Sequence, residues 1–401
     1  ASPSATLTIG GVTHSPAVPA VSEPATVTAR VHDPLDTTSL VLVYSVNGGA
    51  EQSAPMSRTG DVWSGTIPGQ AKSAKANFRI DAINTLGHTA VWPPRGLAGR
   101  ALIPWNDDQA QLVRPSGARP HNVRIVMTAA DTTLLHAANN VMSNDWMPCT
   151  VIYDEREVDY GVGVHLKGSE HGRAKTVRAG FHLRFPSDQP FLGLHPQVAI
   201  DRSGAGDQFS QKEILVKRSM NRAGGIPSTE DDLIRVIAPQ TVHTGPAIFT
   251  HNKIDSDNFL DGQFPDGGSG TLFEYELLYP LYAGQVSGST DNNTLEGNKL
   301  TQDSPGPGGV PVRKLNPGLS KEEYRWFWLI KNNRTRDDYA GLITGLTALG
   351  QTGLTFHTQT GPLLDTDGCL VDANSHALHV IRNCSGIRLR AGRLSFTDPE
   401  L

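Results

Sequence analysis

The sequence predicts a multidomain chain in which an N-terminal all-β sandwich is followed by an α+β domain. Three observations carry that expectation. Over residues 1–100, apolar and polar residues alternate in short runs separated by turn residues, the period of half-buried strands. Beyond residue 121 the period switches along the chain, from two in strand-like runs to 3.6 in runs bracketed by helix caps. And 401 residues are more than one small core serves.

In residues 1–100 the expected strands are Thr6–Ile9, Ala25–Val31, Leu40–Val46, Val62–Ile67, Lys75–Ala82 and Thr89–Trp92. Asn47-Gly48-Gly49 and Thr59-Gly60-Asp61 supply turns between them. Short, evenly spaced strands of this kind are the pattern of immunoglobulin- and fibronectin-like modules. The Cys…Trp…Cys spacing of antibody domains is absent, and no cluster of titratable groups gathers here. A spacer or adhesive role therefore suits this part better than catalysis. A Pro-, Gly- and Arg-rich stretch follows from about residue 93, a linker or edge segment, and residues 101–120 are assigned as linker.

Residues 121–367 are organised around the stretch 158–224. Val162, Val164 and Leu166 alternate, as do Phe181, Leu183 and Phe185, which predicts two half-buried strands. Gly168-Ser169-Glu170-His171-Gly172-Arg173 makes the turn between them. Val216, Met220 and Ala223 then fall at helical spacing. Ser210 and Glu213 form a capping box at the start of that helix, and Gly224-Gly225 ends it.

A strand, a glycine turn, a strand led by a basic residue, then a helix with an early glutamate: this order resembles the N-lobe of a protein kinase. There a lysine meets the nucleotide phosphates and pairs with a helix glutamate. The wording of Lys167-Gly168-Ser169, of Arg178 before Phe181-His182-Leu183-Arg184-Phe185, and of Glu213 is similar to the spore coat protein H (CotH) kinase family, over about residues 121–367. The resemblance implies a protein-kinase-like α+β domain, ATP and Mg2+ as cofactors, and phosphoryl transfer to a surface or coat protein. It also implies an extracellular or cell-surface location. On it, Lys167, Arg178 and Glu213 are the cofactor-binding candidates.

Each candidate has a plainer account. Lys167 suits an exposed turn lysine as well as a phosphate contact. Arg178 suits a solvated strand residue as well as a bidentate phosphate grip. Glu213 suits the capping box as well as pairing with Lys167 or Arg178. Asp201-Arg202-Ser203-Gly204 is an acidic turn where the family also carries one, but turns need Asp and Gly for backbone reasons alone. For Asp255, Asp257 and Asp261 a solvated acidic turn is favoured over a Ca2+ site, since they lack EF-hand spacing.

Around that stretch, Val123–Met127 reads as a strand and Thr128 as the cap of a helix with Asp131 in its first turn. Cys149–Tyr153, Asp232–Ile237 and Ala247–Thr250 read as strands. Residues 284–318 carry almost no periodicity and read as a long loop. Ser320 and Glu323 open a helix presenting Tyr324, Phe327, Trp328 and Ile330, and Thr335 and Asp338 open another with Tyr339, Leu342 and Ile343. Residues 368–401 turn basic and irregular, and the Trp-Asp-x-Asp motif whose acids hold metal in the resembled family is not found. Truncation or a shifted reading frame near residue 368 would explain that.

The remaining composition excludes more than it assigns. A net charge of −5 gives no electrostatic footprint for nucleic acid. No apolar run is long enough to span a bilayer as a helix. Three cysteines, Cys149, Cys369 and Cys384, lack metal-ligand spacing and are too few for a disulfide framework. No signal peptide is present, and the start suits a processed mature end or a fragment equally. No Walker A loop, Gly-x-Ser-x-Gly elbow or His-Glu-x-x-His motif occurs. Two expectations remain: a CotH-like kinase-like protein, active or not, or a non-catalytic surface, coat or adhesion protein.

Overall fold

The computed structural model describes residues 7–33, 37–107, 121–168, 173, 178–201, 211–222, 229–250, 257–263, 269–275, 320–343, 369–375, 377–382, 387–390 and 393–396. By internal packing the chain divides into two compact units: residues 1–210 with 232–249, and residues 211–231 with 250–401. The architecture is multidomain and β-rich, with few helices among the described residues.

The sandwich is formed by nine strands: β1 (Thr8–Ser15), β2 (Ala25–His32), β3 (Thr37–Val46), β4 (Gln52–Pro55), β5 (Ser57–Thr59), β6 (Val62–Ile67), β7 (Lys75–Asn84), β8 (Thr89–Trp92) and β9 (Ala101–Pro104). One sheet runs β1-β2-β6-β5 and the other β4-β3-β7-β8, with β9 added on β7. All of these pairings are antiparallel. Burial alternates strictly along most of β7, so Ala76, Phe78, Ile80 and Ala82 enter the core with Val27, Leu42 and Ile67. Five of the expected strands are present with small shifts at their ends, whereas the first, expected at Thr6–Ile9, shares only Thr8 and Ile9 with β1 and runs on to Ser15. The short polar strands β4 and β5 lack an alternating apolar signal and were not expected. Ala101–Pro104, read from sequence as the start of a linker, is a fully buried strand instead, because Leu102 and Ile103 have cores to enter.

The second element of the first unit is a closed barrel. Its strands are β10 (Asn122–Val126), β11 (Met147–Tyr153), β12 (Glu157–Lys167), β13 (Gly180–Arg184), β14 (Gln197–Asp201), β15 (Asp231–Ile237) and β16 (Gly245–Thr250). They close in the order β10-β11-β12-β13-β14-β16-β15, with β15 parallel to β10. Val162, Val164 and Leu166 of β12 meet Phe181 and Leu183 of β13 and Val198 and Ile200 of β14 in the core, the parity their alternation predicts. Helix α1 (Ala129–Leu135) follows β10, and the Thr128 side chain accepts from the Asp131 N–H as its cap.

Sandwich and barrel share side chains within this unit. Register shifts between β11 and β12 at Cys149/Val151, where Gly161 takes φ +66°. That bulge inserts one residue and inverts the facing of the strand. Val162 therefore points into the barrel, while Tyr160 joins the sandwich core against Phe78 and Trp92. Polar links add to this: Lys75 Nζ donates to Met127 O at 2.8 Å, and Arg100 pairs with Asp131 at 2.6 Å. Arg124, almost fully buried, bonds Glu155 and Asp107.

The second unit contains α2 (Gln211–Arg222), α3 (Asp257–Gln263), α4 (Lys321–Phe327) and strands β17 (Phe273–Tyr275), β18 (Trp328–Ile330), β19 (Cys369–Ser375), β20 (Ala377–Arg382), β21 (Ile387–Arg390) and β22 (Arg393–Phe396). One sheet runs β18-β17-β20-β19, and β21 pairs with β22. Two expectations are corrected here. Trp328–Ile330 does not continue the helix from Ser320; it pairs with β17, since three consecutive apolar residues satisfy a sheet as readily as a helix. Much of residues 369–396 forms strands rather than irregular chain; Cys369–Val371 pair in register with Val380–Arg382. The long loop expected over 284–318 and most of the helix expected after Asp338 lie outside the described residues, apart from its first turn. No described helix is long and apolar enough to cross a membrane.

Candidate functional site

The cofactor candidates of the first unit sit at one end of the barrel. Strand directions place the C-terminal ends of β10, β12, β14 and β15 at the same rim as the N-terminal ends of β11, β13 and β16. Lys167 is the last residue of β12 and pairs in register with Gly180, the first of β13. Phe181 opposes Ile200, which sets Gly180 opposite Asp201, the last residue of β14. Lys167, Gly180 and Asp201 thus form one cross-strand row. Their neighbours Leu166, Phe181 and Ile200 point into the barrel, so the row lies on its outer face.

Lys167 Nζ bonds and ion-pairs with Asp201 Oδ2. The two backbones are two strand spacings apart, roughly 9–10 Å. Gly180 between them has no side chain, so the lysine stem crosses to the carboxylate unobstructed. Both partners are partly buried, at 28% and 29% exposure. The sequence places Asp201 in an acidic turn that the resembled family also carries, with a backbone role favoured; here it is the last residue of β14. The available signal was its position directly after the apolar run Val198–Ile200, as Lys167 follows Leu166.

Arg178 enters β13 two residues before Gly180 with φ +56°. A left-handed arginine costs about 1–2 kcal/mol, which its surroundings must offset. Its Nε and Nη2 each lie 3.9 Å from where a Gly245 side chain would start, at the head of β16. Beside it the Ala179 N–H donates to His243 Nδ1 at 3.2 Å, and His243 stacks on His136 with ring centroids 4.5 Å apart. Burial, and then His243, push the His136 pKa down to about 4; burial also lowers that of His243. The rim thus carries two basic side chains, Lys167 and Arg178, and two imidazoles whose pKa values burial lowers.

Further along the same outer face, His165 of β12 and His182 of β13 are paired in register, ring centroids 5.0 Å apart. Trp146 lies 4.4 Å from the His165 ring, and Arg184 stacks over it at 4.9 Å. Gly163 is required beneath that indole: a Cβ there would come within 2.9 Å of Trp146 Cβ.

Glu213 belongs to α2 in the second unit, but its side chain and Ser210 lie outside the described residues. Within the second unit, Lys217 of α2 pairs with Asp231 at 2.6 Å. The Asp231 side chain is fully buried and also accepts from Thr250 Oγ1 at 2.9 Å. Of the acidic trio, Asp255 lies outside the described residues, while Asp257 and Asp261 are on α3, where Asp261 is exposed. Among the described residues no group of three or more His, Cys, Asp or Glu forms a cage for a metal ion. At this rim the described residues offer an anion two basic side chains, Lys167 and Arg178.

No family model matches the chain, and no curated protein matches it. Among solved structures, a cycloalternan-degrading enzyme from Trueperella pyogenes is 16% identical over 44% of this chain and 18% of its own, with a TM-score of 0.21. A cycloalternan-forming enzyme from Listeria monocytogenes is 10% identical over 45% of this chain and 14% of its own, with a TM-score of 0.19. A Br derivative of BhCBM56 is 14% identical over 22% of this chain and 83% of its own, with a TM-score of 0.16. The chain thus spans under a fifth of either cycloalternan enzyme, and TM-scores this low identify neither a fold nor an activity.

Proposed function

We propose that the chain carries a kinase-like domain of the CotH type, which binds the phosphates of ATP at the barrel rim bearing Lys167 and Arg178. The observation that carries the reading is the row Lys167–Gly180–Asp201, with a lysine at a strand end, oriented by a carboxylate, beside a second cation entering the next strand. Strands β12 and β13 and helix α2 follow in the chain order that the resemblance implies. Lys167 would meet phosphate as a point charge and Arg178 as a planar fork. The implied activity is ATP-dependent phosphorylation of a surface or coat protein by an exported chain. Its metal acids have no motif in the sequence, so nucleotide binding is proposed separately from turnover.

The second reading is a non-catalytic surface, coat or adhesion protein. It is favoured by the packing of Tyr160, a barrel-strand residue, in the sandwich core, which joins the two as one packed body. Titration of the full chain with ATP, with and without Mg2+, tests the first reading. Lys167→Ala is expected to weaken ATP binding by about 1–3 kcal/mol, the scale of a charge-assisted contact. Equal affinity in wild type and variant, or none in either, returns the chain to the second reading.

A further inference from the structure

We propose that Asp201 is the positioning residue for Lys167: a strand carboxylate fixes the phosphate-binding ammonium across Gly180. This rests on the nucleotide-binding reading of the rim and adds a residue to it. The geometry is specific. Lys167, Gly180 and Asp201 occupy one row of three neighbouring strands, and the ammonium meets Asp201 Oδ2 over the one residue type that leaves the path open. Rigid barrel strands carry both partners, and their neighbours Leu166 and Ile200 are core residues. The contact is therefore set by register rather than by a loop.

The consequence follows from what a lysine loses on binding. A free four-carbon stem gives up its rotamer freedom when it meets a phosphate. Asp201 removes much of that freedom beforehand. An ammonium has three N–H donors, so donating to Asp201 leaves others for a ligand. Repulsion between Asp201 and a phosphate beyond the ammonium acts over a longer distance, and at this exposure water screens it. Positioning outweighs repulsion, and removing the carboxylate weakens phosphate binding.

The test is ATP affinity by calorimetry at fixed pH and ionic strength, using the full chain. Asp201→Asn keeps the shape and loses the charge; it is expected to bind ATP about two- to fivefold more weakly, the scale of a partly exposed ion pair. Asp201→Glu keeps the charge and should restore most of the affinity, which loss of fold would not permit. Tighter or unchanged binding in Asp201→Asn, while Lys167→Ala still weakens it, overturns the Asp201 assignment alone. The same holds if Asp201→Glu binds as weakly as Asp201→Asn. Absence of ATP binding by the wild type overturns this assignment together with the nucleotide-binding reading.

Discussion

Truncating Tyr160 to alanine should destabilise the sandwich and the barrel together. Tyr160 is carried by β12 of the barrel but lies 5% exposed in the sandwich core. Its ring meets Phe78 at 5.5 Å and Trp92 at 5.2 Å, both edge-on. Its hydroxyl bonds His14 Nδ1. His14 Nε2 lies 2.9 Å from Ala17 O and must donate to it, so Nδ1 is the acceptor and the tyrosine is the donor. Removing a buried aromatic side chain costs about 3–5 kcal/mol. Tyr160→Phe keeps the ring and leaves a buried imidazole nitrogen without its donor, which costs about 1–3 kcal/mol. Urea denaturation followed by circular dichroism gives the totals, and hydrogen exchange locates them. Faster exchange is expected both in β7 and β8 and in β11 and β12. The reasoning fails if Tyr160→Ala costs under about 1 kcal/mol, or if only the sandwich or only the barrel responds.

Gly161→Ala should cost about 1–2 kcal/mol in thermal or urea unfolding, because φ is +66° while Pro186 leaves room for a Cβ. Thr128→Ala should cost about 1 kcal/mol through loss of the α1 cap, with faster exchange confined to the first turn. Stability should fall as pH drops from 6.5 towards 4: burial depresses the folded-state pKa of His14 to about 4, so over that window the unfolded chain binds a proton that the folded chain does not. The contribution is present above pH 6.5, is roughly 3 kcal/mol, and is lost towards pH 4. His136 acts in the same direction. Asp159, raised by burial to about 6, opposes both as it protonates. A pH–stability slope in His14→Gln as steep as in wild type would count against this account.

The local periodicities were legible in the residues themselves. Alternation in Val162, Val164, Leu166 and in Phe181, Leu183 marked the barrel strands and their inward faces, and Thr128 marked the helix after β10. These features depend on neighbours a few positions away, which a linear reading contains. Lys167 and Arg178 stood out in the sequence as basic residues on either side of the stretch that begins at Gly168. Tertiary structure decided what depends on register and distant partners. A one-residue bulge at Gly161 inverts the facing of β12, so Tyr160, in phase with Val162 by simple counting, belongs to the other core. Trp328–Ile330 pairs with β17, a partner more than fifty positions earlier in the chain, although the local pattern also suits a helix. Asp201 is 34 residues from Lys167. Only the alignment of three strands, with a glycine in the middle, turns two separate strand ends into one ion pair. Period is a property of the chain, whereas register is a property of the folded sheet, and the candidate site is built on register.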